Sequence, residues 1–322
     1  MGECMNGGMA NALLNALVPI FAGLMLGWWA GRRGVFDNVH VRNLIALVMD
    51  FAVPCAMFSV IVGTSRQELR EQILTSFVIA LGFAALYLGC YLWARHKSMS
   101  ISDAAVVALT FGFPNSAAVA VVLLSDVFGK TASVPAALSI AVGSVTLSPI
   151  TLALLESGAD SNKPKITART LSYGVFRSLA RPVVLAPILA LLCVCLGVHL
   201  PTYGLQSLRA LGSAATGSAL LLTGIVISAQ RFRLDASVIL EALAKLVLQP
   251  LLVLGISLLF RMEHDLVRDI VLICAIPGGF FGLVFGKAFN ATPQTASSGL
   301  IATYVLAVIT LPLWILILTQ FV

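Results

Sequence analysis

Two short stretches set proline, glycine and polar side chains in the middle of apolar runs: Phe111-Gly112-Phe113-Pro114-Asn115-Ser116 and Ile276-Pro277-Gly278-Gly279-Phe280. Proline removes a backbone donor and its ring clashes with the carbonyl four residues back, while glycine leaves the chain loose. A helix running through either stretch therefore unwinds there. Beyond each break a new half-helix starts, with about half a positive charge and unsatisfied N–H donors at its N-terminus. Two such ends brought together would hold a carboxylate. Asn115 adds an amide donor and a carbonyl acceptor directly after the first proline, whereas Gly278 stands at the matching place in the second stretch. The two arms are thus chemically unequal, and the candidate binding set is Pro114, Asn115, Ser116, Pro277, Gly278 and Gly279. A functionless proline kink, or Asn115 acting only as a helix cap, is the alternative for either stretch alone; the matched pair argues against it.

Two ionisable residues also sit inside apolar runs: Asp50, in Met49-Asp50-Phe51-Ala52-Val53-Pro54, and Lys245, in Ala244-Lys245-Leu246-Val247-Leu248-Gln249-Pro250. A carboxylate within hydrocarbon costs at least about 2.5 kcal/mol and takes up a partner or a proton. Asp50 is therefore a candidate proton- or cation-coupling group, unless it lies at the membrane interface. Lys245 is suited to neutralising a carboxylate, to occupying the place of a bound cation, or to compensating an anionic substrate. Its alternative is to snorkel to the membrane edge. Glu241, one turn earlier on the same helical face, is a candidate partner. Ser59, Ser144, Thr146, Ser148, Thr223, Gln249, Ser297, Ser298, Thr303 and Thr310 offer polar groups for a path, although such residues commonly bond their own backbone.

The elements that carry these residues follow from composition. Of 322 residues, 59% are hydrophobic and 11% charged, against about 45–50% and about 25% in soluble domains. Apolar blocks of about 20 residues, each long enough to cross a bilayer, recur throughout. They predict ten spans near 10–30, 42–63, 73–94, 103–127, 132–155, 173–198, 206–229, 236–260, 268–289 and 295–321. Arg32 and Arg33 follow the first block and no basic residue precedes it, the reverse of a cleavable signal. With the N-terminus outside, thirteen basic residues fall in cytoplasmic loops: Arg32, Arg33, Arg42, Arg95, Lys97, Lys163, Lys165, Arg169, Arg177, Arg181, Arg231, Arg233 and Lys287. Six fall opposite: Arg66, Arg70, Lys130, Arg209, Arg261 and Arg268. Both termini are accordingly expected outside. The net charge of +6 reports orientation and implies no nucleic acid.

The polar segment 156–172, expected in the cytoplasm, divides the chain into a first five-span half, 1–155, and a second, 173–322. An odd number of spans per half inverts the second relative to the first. Pro114 and Pro149 lie 35 positions apart, as do Pro277 and Pro312, and Thr-Leu recurs at Thr146-Leu147 and Thr310-Leu311. Such weak internal symmetry is characteristic of secondary transporters. The expected fold is all-α and polytopic, and the expected function is movement of a small organic anion across the membrane.

On these residues the chain resembles the auxin efflux carrier family, which includes bacterial malonate-type carriers. The resemblance rests on Pro19-Ile20, Gly27 with Arg32-Arg33-Gly34, Phe51-Ala52-Val53-Pro54, Pro114-Asn115, Lys245-Leu246-Val247 with Pro250, Pro277, and Thr310-Leu311-Pro312. It implies that the fourth and ninth helices cross at their prolines. It also implies a scaffold made from the first two helices of each half, through which a homodimer would form, and an elevator-like transport domain made from the rest. Carried over residue by residue, it places Pro114, Asn115 and Pro277 at the crossing and Ser59 on the helix facing it. The short central loop departs from the long hydrophilic loop of many plant members and favours a bacterial-type carrier in the inner membrane. The stretch Pro277 to Gly286 looks like the malonate-carrier branch.

Other classes fare less well. His40, His96, His199 and His264 fall in loops or at span ends, and the six cysteines form no C-x-x-C pair. This leaves no metal site or nucleophile elbow for an enzyme, and no cofactor is expected beyond a coupled proton or sodium ion. A channel or sensor, and a cation-coupled carrier of similar crossover architecture such as a bile-acid-type symporter or a cation/proton antiporter, remain rivals.

Overall fold

The computed structural model describes residues 2–37, 40–129, 132–159, 172, 176, 180–198 and 200–320, without the side chains of 2–16 and 159. Most of the expected linker, with Lys163, Lys165 and Arg169, lies outside the described residues, as do Lys130, Arg177 and His199.

Among the described residues the chain forms twelve helices. They are α1 (Gly2–Arg32), α2 (Arg42–Val62), α3 (Arg66–His96), α4 (Ile101–Gly112), α5 (Ser116–Phe128), α6 (Ser133–Ala159), α7 (Pro182–Leu196), α8 (Thr202–Ser228), α9 (Ala236–Leu259), α10 (His264–Ala275), α11 (Phe281–Ala288) and α12 (Gln294–Gln320). Six of them, α2, α3, α6, α8, α9 and α12, are each long and apolar enough to cross a membrane. The expected fourth span is divided into α4 and α5, and the expected ninth into α10 and α11. Pro149 and Pro312, by contrast, are accommodated inside unbroken helices.

Local chemistry sets the helix starts. Helix α3 begins seven residues before the span expected at 73, because Ser65 and Glu68 close a capping box: Ser65 Oγ accepts from the Glu68 amide, and Glu68 Oε2 from the Ser65 amide. Two of the four orphan donors at that end are thereby satisfied. Ser100 and Asp235 cap α4 and α9 more simply, each side chain accepting from the amide three residues on.

Wide π-type turns form at Leu47–Ala52 and Ala244–Leu248, immediately before Pro54 and Pro250. Each proline takes away the amide that would bond the carbonyl four residues back, and the turn widens to clear its ring. The carbonyl freed by Pro250 is that of Leu246, and the indole N–H of Trp314 in α12 donates to it at 2.8 Å.

The interrupted helices form the centre. Residues Ala104 to Leu109 of α4 and Ile270 to Ala275 of α10 are fully buried, while Met25, Phe51, Ile73, Leu88, Val305 and Ile309 on the surrounding helices are exposed. In lipid an exposed apolar side chain carries no penalty, so helix contacts rest on close fit. Helices α1 and α8 show this: a Cβ on Gly27 would collide with the Leu221 carbonyl, and one on Gly224 with the Leu24 carbonyl. Gly27 of α1 is therefore used for packing inside the chain.

Candidate functional site

The four half-helices meet at a single antiparallel bridge between Pro114 and Gly278. The Asn115 amide donates to the Pro277 carbonyl at 3.0 Å, and the Gly279 amide donates to the carbonyls of Phe113 at 2.9 Å and Thr110 at 3.0 Å. The Gly278 amide reaches Thr303 Oγ1 in α12 at 3.3 Å. The amides released by the two breaks are thus largely spent on each other, rather than left open as the sequence alone leads one to expect. Neither glycine has a positive φ. What requires glycine is space: a Cβ on Gly278 would stand 2.5 Å from the Thr110 carbonyl oxygen, and one on Gly279 2.5 Å from that of Phe113. The second arm carries Gly278 opposite Pro114 because no side chain fits there.

Side chains supply what the backbone withholds. Asn115 is fully buried, and its Nδ2 donates to Thr223 Oγ1 of α8 at 3.1 Å and to the Tyr304 hydroxyl of α12 at 2.6 Å. Thr223 has already given its own hydrogen to the Ala219 carbonyl at 2.7 Å, so it can only accept from Asn115. That fixes the orientation of the amide and leaves Asn115 Oδ1, like the neighbouring Ser116 Oγ, without a partner among the described residues. A buried polar atom left unmet costs about 1–3 kcal/mol. Two adjacent ones, an acceptor and a hydroxyl that can donate, lie at this crossing. Aromatic rings enclose it: Phe113 stacks on Phe281 with centroids 4.9 Å apart, and Phe281 on Phe280 at 5.2 Å.

Lys245 serves the opposite poles of the same helices. Its Nζ donates to the Cys274 carbonyl and to Gln249 Oε1, both at 2.6 Å, and Gln249 Nε2 donates to the Gly82 carbonyl at 3.2 Å, with Gly112 at 3.5 Å. In an unbroken helix the Cys274 carbonyl would take the amide of residue 278, which here goes to Thr303. A buried ammonium at the C-terminal, negative ends of α4 and α10 compensates their dipoles. Lys245 neither snorkels nor pairs with Glu241, whose Oε2 is buried without a partner among the described residues.

The remaining sequence candidates lie apart. Asp50 is exposed in the wide turn of α2, beside Arg42, Arg181 and Phe281 around a cavity of about 160 Å³. Ser59 is buried, donates to the Ala56 carbonyl at 2.9 Å, and lines a cavity of about 230 Å³ at the other end of α2. Thr223, Thr303 and Gln249 stand out of the polar set as direct contacts of the crossing. Tyr304 gave no signal in the sequence beyond being one tyrosine in an apolar run. Buried Asp269, 3.9 Å from Arg268, was likewise missed.

Long apolar helices wrapped around two interrupted ones make this an integral, polytopic helical membrane protein. The sequence matches the family described as Membrane transport protein over residues 12–315. It is 30% identical over 316 residues to the uncharacterized transporter YfdV of Escherichia coli (strain K12), covering 95% of this chain and 98% of the relative. YfdV of Shigella flexneri gives the same values. Auxin efflux carrier component 8 of Arabidopsis thaliana is 22% identical over 339 residues, covering 90% of this chain and 92% of the relative. The chain belongs to the Membrane transport protein family, that of the auxin efflux carriers, and is a membrane transporter.

Proposed function

We propose that this transporter carries a small organic anion, a carboxylate of malonate type, by an elevator form of alternating access. Ten passes in two inverted halves, 1–155 and 173–322, would place α1, α2, α7 and α8 in a scaffold and the crossing in the moving part. Its setting would be a bacterial inner membrane with both termini outside. A dimer would form through scaffold surfaces other than the Gly27 face, which is packed against α8.

The observation that carries this reading is the buried pair of unmet atoms at the crossing. Ser116 Oγ is a donor for a carboxylate oxygen, and Asn115 Oδ1 an acceptor for a protonated carboxyl oxygen or a bridging water. The Asn115 to Thr223 bond joins the proposed moving part to the scaffold, so it breaks and re-forms as the site changes sides. Lys245 already performs the electrostatic task of a bound cation, which favours a carrier over a sodium symporter with a cation at that position. Uptake of a panel of labelled mono- and dicarboxylates into proteoliposomes, with proton and sodium gradients imposed separately, tests the proposal. Saturable uptake of a small carboxylate supports it; gradient-insensitive, unsaturable flux would make the protein a channel.

A further inference from the structure

The cavity of about 230 Å³ beside Ser59 is bounded by α2, α5, α6 and α8, and its wall includes Ala117, Arg209, Ser213 and Thr216. Ala117 directly follows Ser116, so the cavity reaches the first turn of α5, next to the crossing. Arg209 is exposed, and its side chain has no hydrogen-bond or ion-pair partner among the described residues. Two other cations toward this end are engaged: Arg66 Nε donates to the Val194 carbonyl at 2.7 Å, and Arg268 pairs with Asp265 at 3.3 Å and lies over the Phe128 ring.

The Arg209 guanidinium lies beside the end of α2. The absent side chain of Gly63 leaves room for the guanidinium, since a Cβ there would stand 3.3 Å from Arg209 Nη2. Gly63 closes the C-terminal end of α2, where a cation is favoured by the helix dipole. A helix end nearby does not neutralise the guanidinium, which keeps its full charge. Ser59 and Ser213 spend their hydroxyl hydrogens on their own helices, so the full charge on this wall of the cavity is that of Arg209.

We infer that this cavity is a receiving chamber for anionic substrate, in which Arg209 takes the carboxylate before it passes to Ser116 and Asn115. The inference rests on the proposed carboxylate transport and names the residue that confers preference for the charged form. Arg209 acts on capture from its own side of the membrane and takes no part in the crossing itself. Its removal therefore weakens apparent affinity without slowing the saturated cycle.

The test is carboxylate uptake by wild-type, Arg209→Gln and Arg209→Lys protein in liposomes at low salt. The Gln variant is expected to raise the half-saturating concentration about tenfold and leave the maximal rate within about twofold, while Lys restores most of the affinity. The difference is expected to shrink as salt screens the charge. Arg209→Cys supplies a readout within one folded protein: a thiol reagent that adds an ammonium group restores affinity, and one that adds a sulfonate does not, with the parent protein treated alike as the control. Unchanged half-saturation in the Gln variant, or equal losses with Lys and Gln, overturns the inference while leaving carboxylate transport standing. Failure of the wild type to carry any carboxylate overturns both.

Discussion

Replacing Gly278 by alanine tests whether the crossing is held by direct backbone contact. The new Cβ would lie 2.5 Å from the Thr110 carbonyl oxygen, a backbone atom in the last turn of the buried helix α4 that has little room to retreat. Relief requires the two breaks to separate. Three backbone bonds depend on their closeness: Asn115 to Pro277, and Gly279 to Phe113 and Thr110. At about 1 kcal/mol each net, their weakening amounts to a loss of roughly 2–3 kcal/mol. That corresponds to a fall of roughly 3–4 °C in Tm for a chain of this size. The control is Gly89→Ala, because a Cβ on Gly89 in α3 meets nothing within 4 Å and alanine favours a helix by about 0.5–1 kcal/mol. Thermal unfolding in detergent, followed by tryptophan fluorescence, should show Gly278→Ala below wild type and Gly89→Ala at or above it. Equal Tm values for wild type and Gly278→Ala, with uptake unchanged, would refute the close crossing.

Tyr304→Phe removes an acceptor of the Asn115 amide and is expected to raise half-saturation roughly fivefold, about 1 kcal/mol, with Tm little changed; loss of folding instead would make Tyr304 a packing residue. Trp314→Phe orphans the Leu246 carbonyl freed by Pro250 and should destabilise the protein by about 1–3 kcal/mol, read by the same unfolding assay. Because Asn115 Oδ1 can only accept, a substrate bearing one proton fits the crossing better than the bare dianion. Uptake is therefore expected to rise as external pH falls toward the substrate's upper pKa, and a flat pH profile would exclude a protonated carboxyl as the bound form.

The breaks were legible in the sequence because proline and glycine within an apolar run have few other meanings, and the paired stretches 111–116 and 276–280 foretold both interruptions. What the amides would do once released was not legible. Whether Gly279 donates to a ligand or to the Phe113 carbonyl depends on how near the other chain segment passes, and spacing along one segment says nothing of that. Lys245 illustrates the same limit. Its burial was readable, but its choice of the Cys274 carbonyl over Glu241 depends on where α10 ends in space. Asp50 looked buried because its neighbours are apolar; the wide turn ahead of Pro54 faces it into a crevice with Arg42 and Arg181.

The most direct test of the central claim is uptake of labelled malonate by reconstituted wild-type and Asn115→Ala protein of matched folding and insertion. Saturable uptake by the wild type and its loss in the variant are expected, since alanine removes both the unmet acceptor and the link to Thr223 and Tyr304. Unchanged half-saturation and rate in Asn115→Ala would show that the substrate is bound elsewhere.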